Sequence, residues 1–297
     1  MERDRFIEVE TSQEKEQIHL VQYGQGEEDF LDWHGFDSVN RFCAWKPLLK
    51  HGRVTLVGLP GHGPVRRRSW AQCKHWNQAH FVETGAAVAK QLFDNKKLTL
   101  IGHSTGALVA LGVTFHAAEI VARTVLLNPL IWSPKGKLVQ YLVASKLWLP
   151  LGGVLMGGAL RRKQRSVDIY FNEIDKLVRD HQSIYANLDI RPQLSIGHAD
   201  YQQTGLIAHL ATARVAVTGD YRQVVRDANC TNPFLIFHGE DDPVAPVAQS
   251  EWLLQKLKNA QLIKMSGVGH VCYAEREHEF SEKFSAWLAS GIGGQGG

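Results

Sequence analysis

The chain has 297 residues, 44% hydrophobic and 21% charged, with 27 Gly and 10 Pro. That composition supports a sizeable apolar core and excludes disordered, collagen-like and disulfide-scaffold proteins. The 33 basic and 30 acidic residues leave a formal charge of +3, too weak and dispersed for nucleic acid to be the expected partner.

The first ten residues alternate charged and apolar side chains and contain no apolar h-region of a secretory signal. Cys43, Cys73, Cys230 and Cys272 are widely spaced and form no Cys-x-x-Cys pair. They read as free thiols packed as small hydrophobes, which fits a reducing cytoplasm. Neither His-Glu-x-x-His nor a Cys/His zinc spacing occurs among the 14 histidines, so no metal ion is expected.

Short β-like runs come first, at 5–10, 17–23 and 30–33, and are expected to form an antiparallel edge meander. Strand-like apolar runs then alternate with helical patterns. Strands are expected at 53–59, 98–102, 124–127, 234–237 and 261–265, and helices at 81–93, 107–121, 252–257 and 280–288. Buried strands alternating with helices imply a mostly parallel sheet flanked by helices. Between Ile131 and Asn232 the alternation stops, leaving helix-like stretches at 137–149, 168–186 and 206–215. Residues 1–130 and 233–290 are therefore expected to form the core, with 131–232 inserted after the sixth strand as a helical cap or lid. The glycine-rich tail 291–297 is expected to be disordered. Leu147–Leu160 is apolar throughout and precedes Arg161-Arg162-Lys163-Gln164-Arg165. It is too short to span a bilayer and reads as a lid or pocket wall, with weak membrane-surface contact by the cap as the alternative.

The strongest chemical signal is Gly102-His103-Ser104-Thr105-Gly106, where a buried strand runs straight into a helix. A serine on such a turn is exposed for attack, glycines leave room for the bend, and the helix N-terminus offers N–H groups to an oxyanion. A serine hydroxyl needs a base, and the base needs an orienting acid. Asp241 and Asp242 follow strand 234–237, and His270 follows strand 261–265, in the chain order Ser, acid, His.

These motifs resemble the α/β-hydrolase family, whose resemblance covers nearly the whole chain outside the insertion. The nucleophile motif matches Gly102 to Gly106, and the acid motif matches Gly239 to Asp242 with Pro246 beyond. The terminal Gly-His matches Gly269-His270, the oxyanion-loop His-Gly matches His34-Gly35, and Pro-Gly-x-Gly matches Pro60 to Gly63. The resemblance implies an α/β-hydrolase fold with Ser104 as nucleophile, His270 as base and acid, and Asp242 as orienting carboxylate. Backbone N–H groups of Phe36 and Thr105 would form the oxyanion hole, with no cofactor. His34 and His103 are expected to fix loops by hydrogen bonds. Serine, where dehalogenases and epoxide hydrolases of the family carry aspartate, points to acyl transfer to water. An apolar cap points to a small-molecule ester with a hydrophobic acyl or alcohol part. The same triad also serves thioester hydrolysis, C–C bond hydrolysis and acyl transfer, and a slow or inactive ligand-binding sensor is a reading of another class. Oligomeric state is left open. The sequence departs from the family at Gly58, where many members have aspartate, and at Asp37, a negative charge beside the oxyanion turn. Arg66-Arg67-Arg68 reads as a solvated basic loop, with reception of an anionic substrate portion as the alternative.

Overall fold

A computed structural model of the chain describes residues 2–36, 38, 41, 48–93, 96–133, 149–186 and 190–290. Eight strands form one sheet: β1 (Arg3–Glu10), β2 (Lys15–Tyr23), β3 (Glu28–Trp33), β4 (Gly52–Val57), β5 (Leu98–His103), β6 (Val121–Leu127), β7 (Phe234–Gly239) and β8 (Ala260–Met265). Their spatial order is β1-β2-β4-β3-β5-β6-β7-β8. β2 runs antiparallel to both β1 and β4, and all other pairs are parallel. The fold is thus the mostly parallel α/β arrangement expected.

The edge differs from expectation in one respect. Only β1 and β2 make the antiparallel start, whereas β3 lies inside the sheet between β4 and β5. Phe30 to Trp33 are all buried, and a strand covered on both faces belongs in a parallel interior. Because the chain passes from β3 to β4 on one side and then to β5 on the other, a topological switch point opens between β3 and β5. Crevices for ligands form at the carboxyl ends of such strands.

Helices cover both faces. Among the described residues they are α1 (Trp70–Cys73), α2 (Gln78–Leu92), α3 (Thr105–His116), α4 (Leu149–Arg165), α5 (Val167–Asp175), α6 (His181–Ala186), α7 (Ile190–Gln203), α8 (Leu206–Thr218), α9 (Arg222–Asp227), α10 (Ala248–Lys256), α11 (Cys272–Glu275) and α12 (Glu277–Ala289). Side chains alternate along each strand between two apolar layers. Leu31, Leu100, Leu126 and Ile236 join one layer with α2 and α3. Phe30, Ile101, Leu127 and Phe237 join the other with Phe280, Phe284 and Trp287 of α12.

Six helices, α4 to α9, lie between β6 and β7 in the chain. Leu160, Tyr170, Ile174, Val178, Ile184, Leu194 and Tyr201 form a separate apolar cluster together with Val271 of the loop after β8. By contrast, Ala208, Ala211 and Val215 of α8 pack into the layer around α2 and α3. The stretch 168–186, read from sequence as one helix, is two helices broken at 176–180. The expected helix at 137–149 lies mostly outside the described residues, as does the 291–297 tail. Among the described residues no helix is long and apolar enough to cross a membrane. Cys73, Cys230 and Cys272 are free thiols, and burial pushes the Cys73 thiol up to about 12.

Phe284 is fully buried between Phe30, His51 and Phe280. Phe284→Ala should lower unfolding free energy by about 3–5 kcal/mol, measured by urea denaturation.

Candidate active site

β5 ends at His103, and the chain reverses into α3 through Ser104, whose backbone sits at φ 55°, ψ −115°. A non-glycine residue there costs roughly 1–3 kcal/mol, strain that persists only where surroundings over-determine it. Both flanking glycines are needed for space. A Cβ on Gly102 would stand 2.3 Å from Gly106 O, and one on Gly106 2.2 Å from Trp33 O. The elbow is held by Ser104 N–H donating to Leu127 O (2.9 Å), and Ser104 O accepts from Leu130 N–H (3.2 Å).

The His34-Gly35 turn leaves the adjacent strand, with Trp33 in register with Gly102. It lies directly over the elbow: a Cβ on Gly35 would be 3.0 Å from Ser104 Cβ. His34 Nε2 accepts from Leu59 N–H (3.1 Å), so its Nδ1–H donates to Gly35 O (2.8 Å). Burial, then the neighbouring His62, holds His34 well below the ordinary histidine range and hence neutral. Since a trans peptide points its C=O and N–H in opposite directions, this bond turns the Phe36 N–H away from the His34 ring. Thr105 opens α3, where a helix leaves its first N–H groups without intrahelical acceptors. Phe36 packs on Leu130, Ala216 and Ala245, an apolar patch beside the elbow. Asp37 lies outside the described residues.

Asp242 and His270 meet: His270 Nδ1–H donates to Asp242 Oδ2 at 2.7 Å. Asp241 is exposed and points its backbone N–H to Val268 O instead. The Asp242 side chain is fully buried. It accepts from Asn128 Nδ2 (2.7 Å) on Oδ2, and from Val244 N–H (2.7 Å) and Ala245 N–H (3.0 Å) on Oδ1. Burial raises its carboxyl pKa, but the charge and hydrogen bond of His270, with His238 and the Val244 N–H, outweigh that and bring it to about 2.

Two nearby histidines are kept neutral and hold neighbouring backbone groups. His103 Nε2–H donates to His270 O (2.8 Å), and burial with the His270 charge pushes its pKa down to about 3. His238 accepts from Ser250 Oγ–H at Nδ1 (2.6 Å) and donates from Nε2 to Ala245 O (2.8 Å). Burial is the main cause of its lowered pKa.

The His270 loop is anchored from outside the sheet. His270 N–H donates to Leu177 O (2.8 Å) in the break between α5 and α6. Glu275, 1% exposed, accepts Gly269 N–H (3.0 Å) on one oxygen, and Arg179 N–H (2.8 Å) and Asp180 N–H (2.9 Å) on the other. Gly269 has no room for a side chain, since a Cβ would be 2.2 Å from Leu177 O. Glu275, His238 and Asn128 carried no signal in the sequence as site residues. Asn128 stands just past β6 at φ 44°, a conformation that asparagine tolerates better than most residues. Its Nδ2 also donates to Gly269 O (3.1 Å). The 66–68 run does not face solvent as a whole, because Arg68 pairs with Glu14 and Glu16.

Residues 30–283 match the model of the Alpha/beta hydrolase family. The chain is 25% identical over 252 residues to a pimeloyl-[acyl-carrier protein] methyl ester esterase of Aromatoleum aromaticum, covering 82% of this chain and 90% of that protein. Among solved structures it is similar to potato (Solanum tuberosum) epoxide hydrolase I, with TM-score 0.74, 17% identity and coverage of 98% and 100%. A thermophilic esterase from Thermogutta terrifontis is also similar, with TM-score 0.67, 16% identity and coverage of 98% and 99%. At these identities the two structures show the fold alone.

Because the folded pKa of Asp242 lies below its ordinary value, its contribution to stability is full above about pH 4 and lost as pH falls toward 2. Asp242→Asn should therefore flatten that part of the acid limb in urea unfolding followed across pH. Glu275→Gln places an amide among backbone donors and should cost about 1–3 kcal/mol. It should also broaden the His270 Nδ1–H proton resonance; an unchanged resonance at unchanged stability would mean that the clamp does not hold the loop.

Proposed function

The chain belongs to the α/β hydrolase family, and on that premise we propose that it is a serine hydrolase cleaving a carboxylic ester with a hydrophobic acyl or alcohol part. One observation carries this reading. The imidazole of His270 is oriented by a buried carboxylate at 2.7 Å, and its loop is bonded to His103, which immediately precedes the strained Ser104.

Asp242 holds His270 with its proton on Nδ1, which leaves Nε2 free to take the Ser104 proton. Ser104 Oγ attacks the ester carbonyl carbon, and the negative charge on the carbonyl oxygen is received by the Phe36 and Thr105 N–H groups. His270 returns the proton to the departing alcohol, leaving an acyl group on Ser104. Water then attacks the acyl carbon as His270 takes its proton, and collapse of the second tetrahedral species releases acid and serine. His103 supports the His270 loop through its Nε2–H, both ring nitrogens of His238 are bonded elsewhere, and His270 alone is oriented by Asp242, so His270 is taken as the base.

Residues 131–232 act in this reading as a helical cap. The separate apolar cluster around Tyr170 and Tyr201 supports that role, with α8 seated on the core as its base. The Phe36, Leu130, Ala216 and Ala245 patch supports an apolar substrate portion beside the nucleophile. The ester chemistry of the Aromatoleum relative agrees with an ester linkage. Buried free thiols agree with a cytoplasmic location.

Ser104→Ala should lower ester turnover by several orders of magnitude, with a residual acceleration over water of about 10³–10⁴ from the oxyanion hole and binding. A fluorophosphonate should label the parent and not this variant. A panel crossing acyl length with ester, thioester and amide linkages, with and without an alcohol acceptor, should show fastest hydrolysis of apolar esters. Near-full activity of Ser104→Ala on every ester would refute the mechanism.

A further inference from the structure

We propose that Glu14, His75 and His80, with Glu16 beside them, form a site for a divalent transition-metal ion of the zinc class. The site joins the β1–β2 hairpin to the start of α2. Glu14 comes from the hairpin turn and Glu16 from β2, while His75 lies between α1 and α2 and His80 in the first turn of α2. One ligand atom from each of Glu14, His75 and His80 falls within 4.8 Å of the others.

Two of the carboxylate–imidazole distances are close to the edge of a small ion's coordination shell. Glu14 Oε1 is 3.1 Å from His75 Nε2, and Glu16 Oε1 is 3.1 Å from His80 Nε2. Tetrahedral zinc with bonds of about 2.0–2.1 Å has ligand–ligand edges of roughly 3.3 Å. The two imidazole rings stand 5.5 Å apart at 90°, so both can present a nitrogen to one centre without stacking. His80 is 1% exposed, and its Nδ1 has no hydrogen-bond partner. The ring is held by the Glu16 carboxylate on one side and by stacking on Trp76.

Charge and the surrounding hydrogen bonds agree. Arg68 bonds the Oε2 atoms, to Glu14 at 2.9 Å and Glu16 at 2.7 Å, leaving both Oε1 atoms turned to the imidazoles. Outer hydrogen bonds of this kind orient carboxylate ligands. Trp76 Nε1–H also donates to Glu14 Oε1 (3.2 Å). Two carboxylates against one guanidinium leave an excess of acidic groups at the cluster, which suits a cation. On binding, the ion takes the lone pair of one imidazole nitrogen while the ring carries its single proton on the other. The ligands come from separated segments, so no sequence spacing announces the site.

The test uses the untagged full chain, stripped with chelator and titrated with Co²⁺. The expected result is intense visible d–d absorption of low-coordinate Co(II), saturating at one equivalent, with displacement by Zn²⁺. At a hundredfold excess over Kd, Zn²⁺ should raise the thermal midpoint by roughly 5 °C. His75→Ala removes a partly exposed ligand and should weaken binding by more than the roughly 100-fold that loss of an outer-shell partner costs. Glu14→Gln should weaken it as well, while Ser104→Ala should bind as the parent does. Weak, non-saturating absorption, or equal binding by the parent, His75→Ala and Glu14→Gln, would overturn the site and leave a hydrogen-bonded ion-pair network.

Discussion

The rest of the site depends on one buried charge, the carboxylate of Asp242. An ionised carboxyl without water is costly unless every acceptor site finds a donor. Here the donors are His270, the Asn128 amide and two backbone N–H groups of its own loop. Satisfying that charge brings together the carboxyl ends of β6, β7 and β8. The demand for solvation thereby becomes a demand for geometry, and it fixes which nitrogen of His270 carries the proton.

A second constraint ties this loop to the helices between β6 and β7. The break at 176–180 donates two N–H groups to Glu275 and accepts one from His270. Backbone groups freed at a helix end must be paired when buried, and here they pair with the loop that carries the candidate base. Gly239, Gly269 and Leu177 are packed so closely that no side chain fits between them. Sheet, loop and insertion therefore meet through backbone contacts at this corner, and a shift of one is felt by the others.

Burial also sorts the histidines. His34, His103 and His238 each have a fixed tautomer set by a backbone or hydroxyl partner, and burial holds each below the ordinary histidine range. They serve as neutral braces for the His34-Gly35 turn and for the loops that carry Asp242 and His270. His62 and His209 continue this ring-to-ring packing from His34 toward Tyr201 in the insertion.

Periodicity and local motifs were enough to read the alternation of strands and helices, the Gly102–Gly106 elbow, and the candidates Ser104, Asp242 and His270. These features are written in contiguous residues: a strand buried on both faces is an apolar run, and an elbow needs small residues on either side of its serine. The interior position of β3, the break at 176–180, and the parts played by Asn128 and Glu275 were not legible. Each depends on which distant segments become neighbours, and neither an asparagine after a strand nor a buried glutamate has a local pattern that names its partner. The Gly-x-x-Asp motif favoured Asp242 over Asp241, and it is the Asp242 carboxylate that turns inward to meet His270. The sequence by itself determined the class of fold and the kinds of groups available for chemistry. Only the tertiary structure decided how those groups are oriented and braced, because hydrogen-bond direction and burial are properties of packed neighbours.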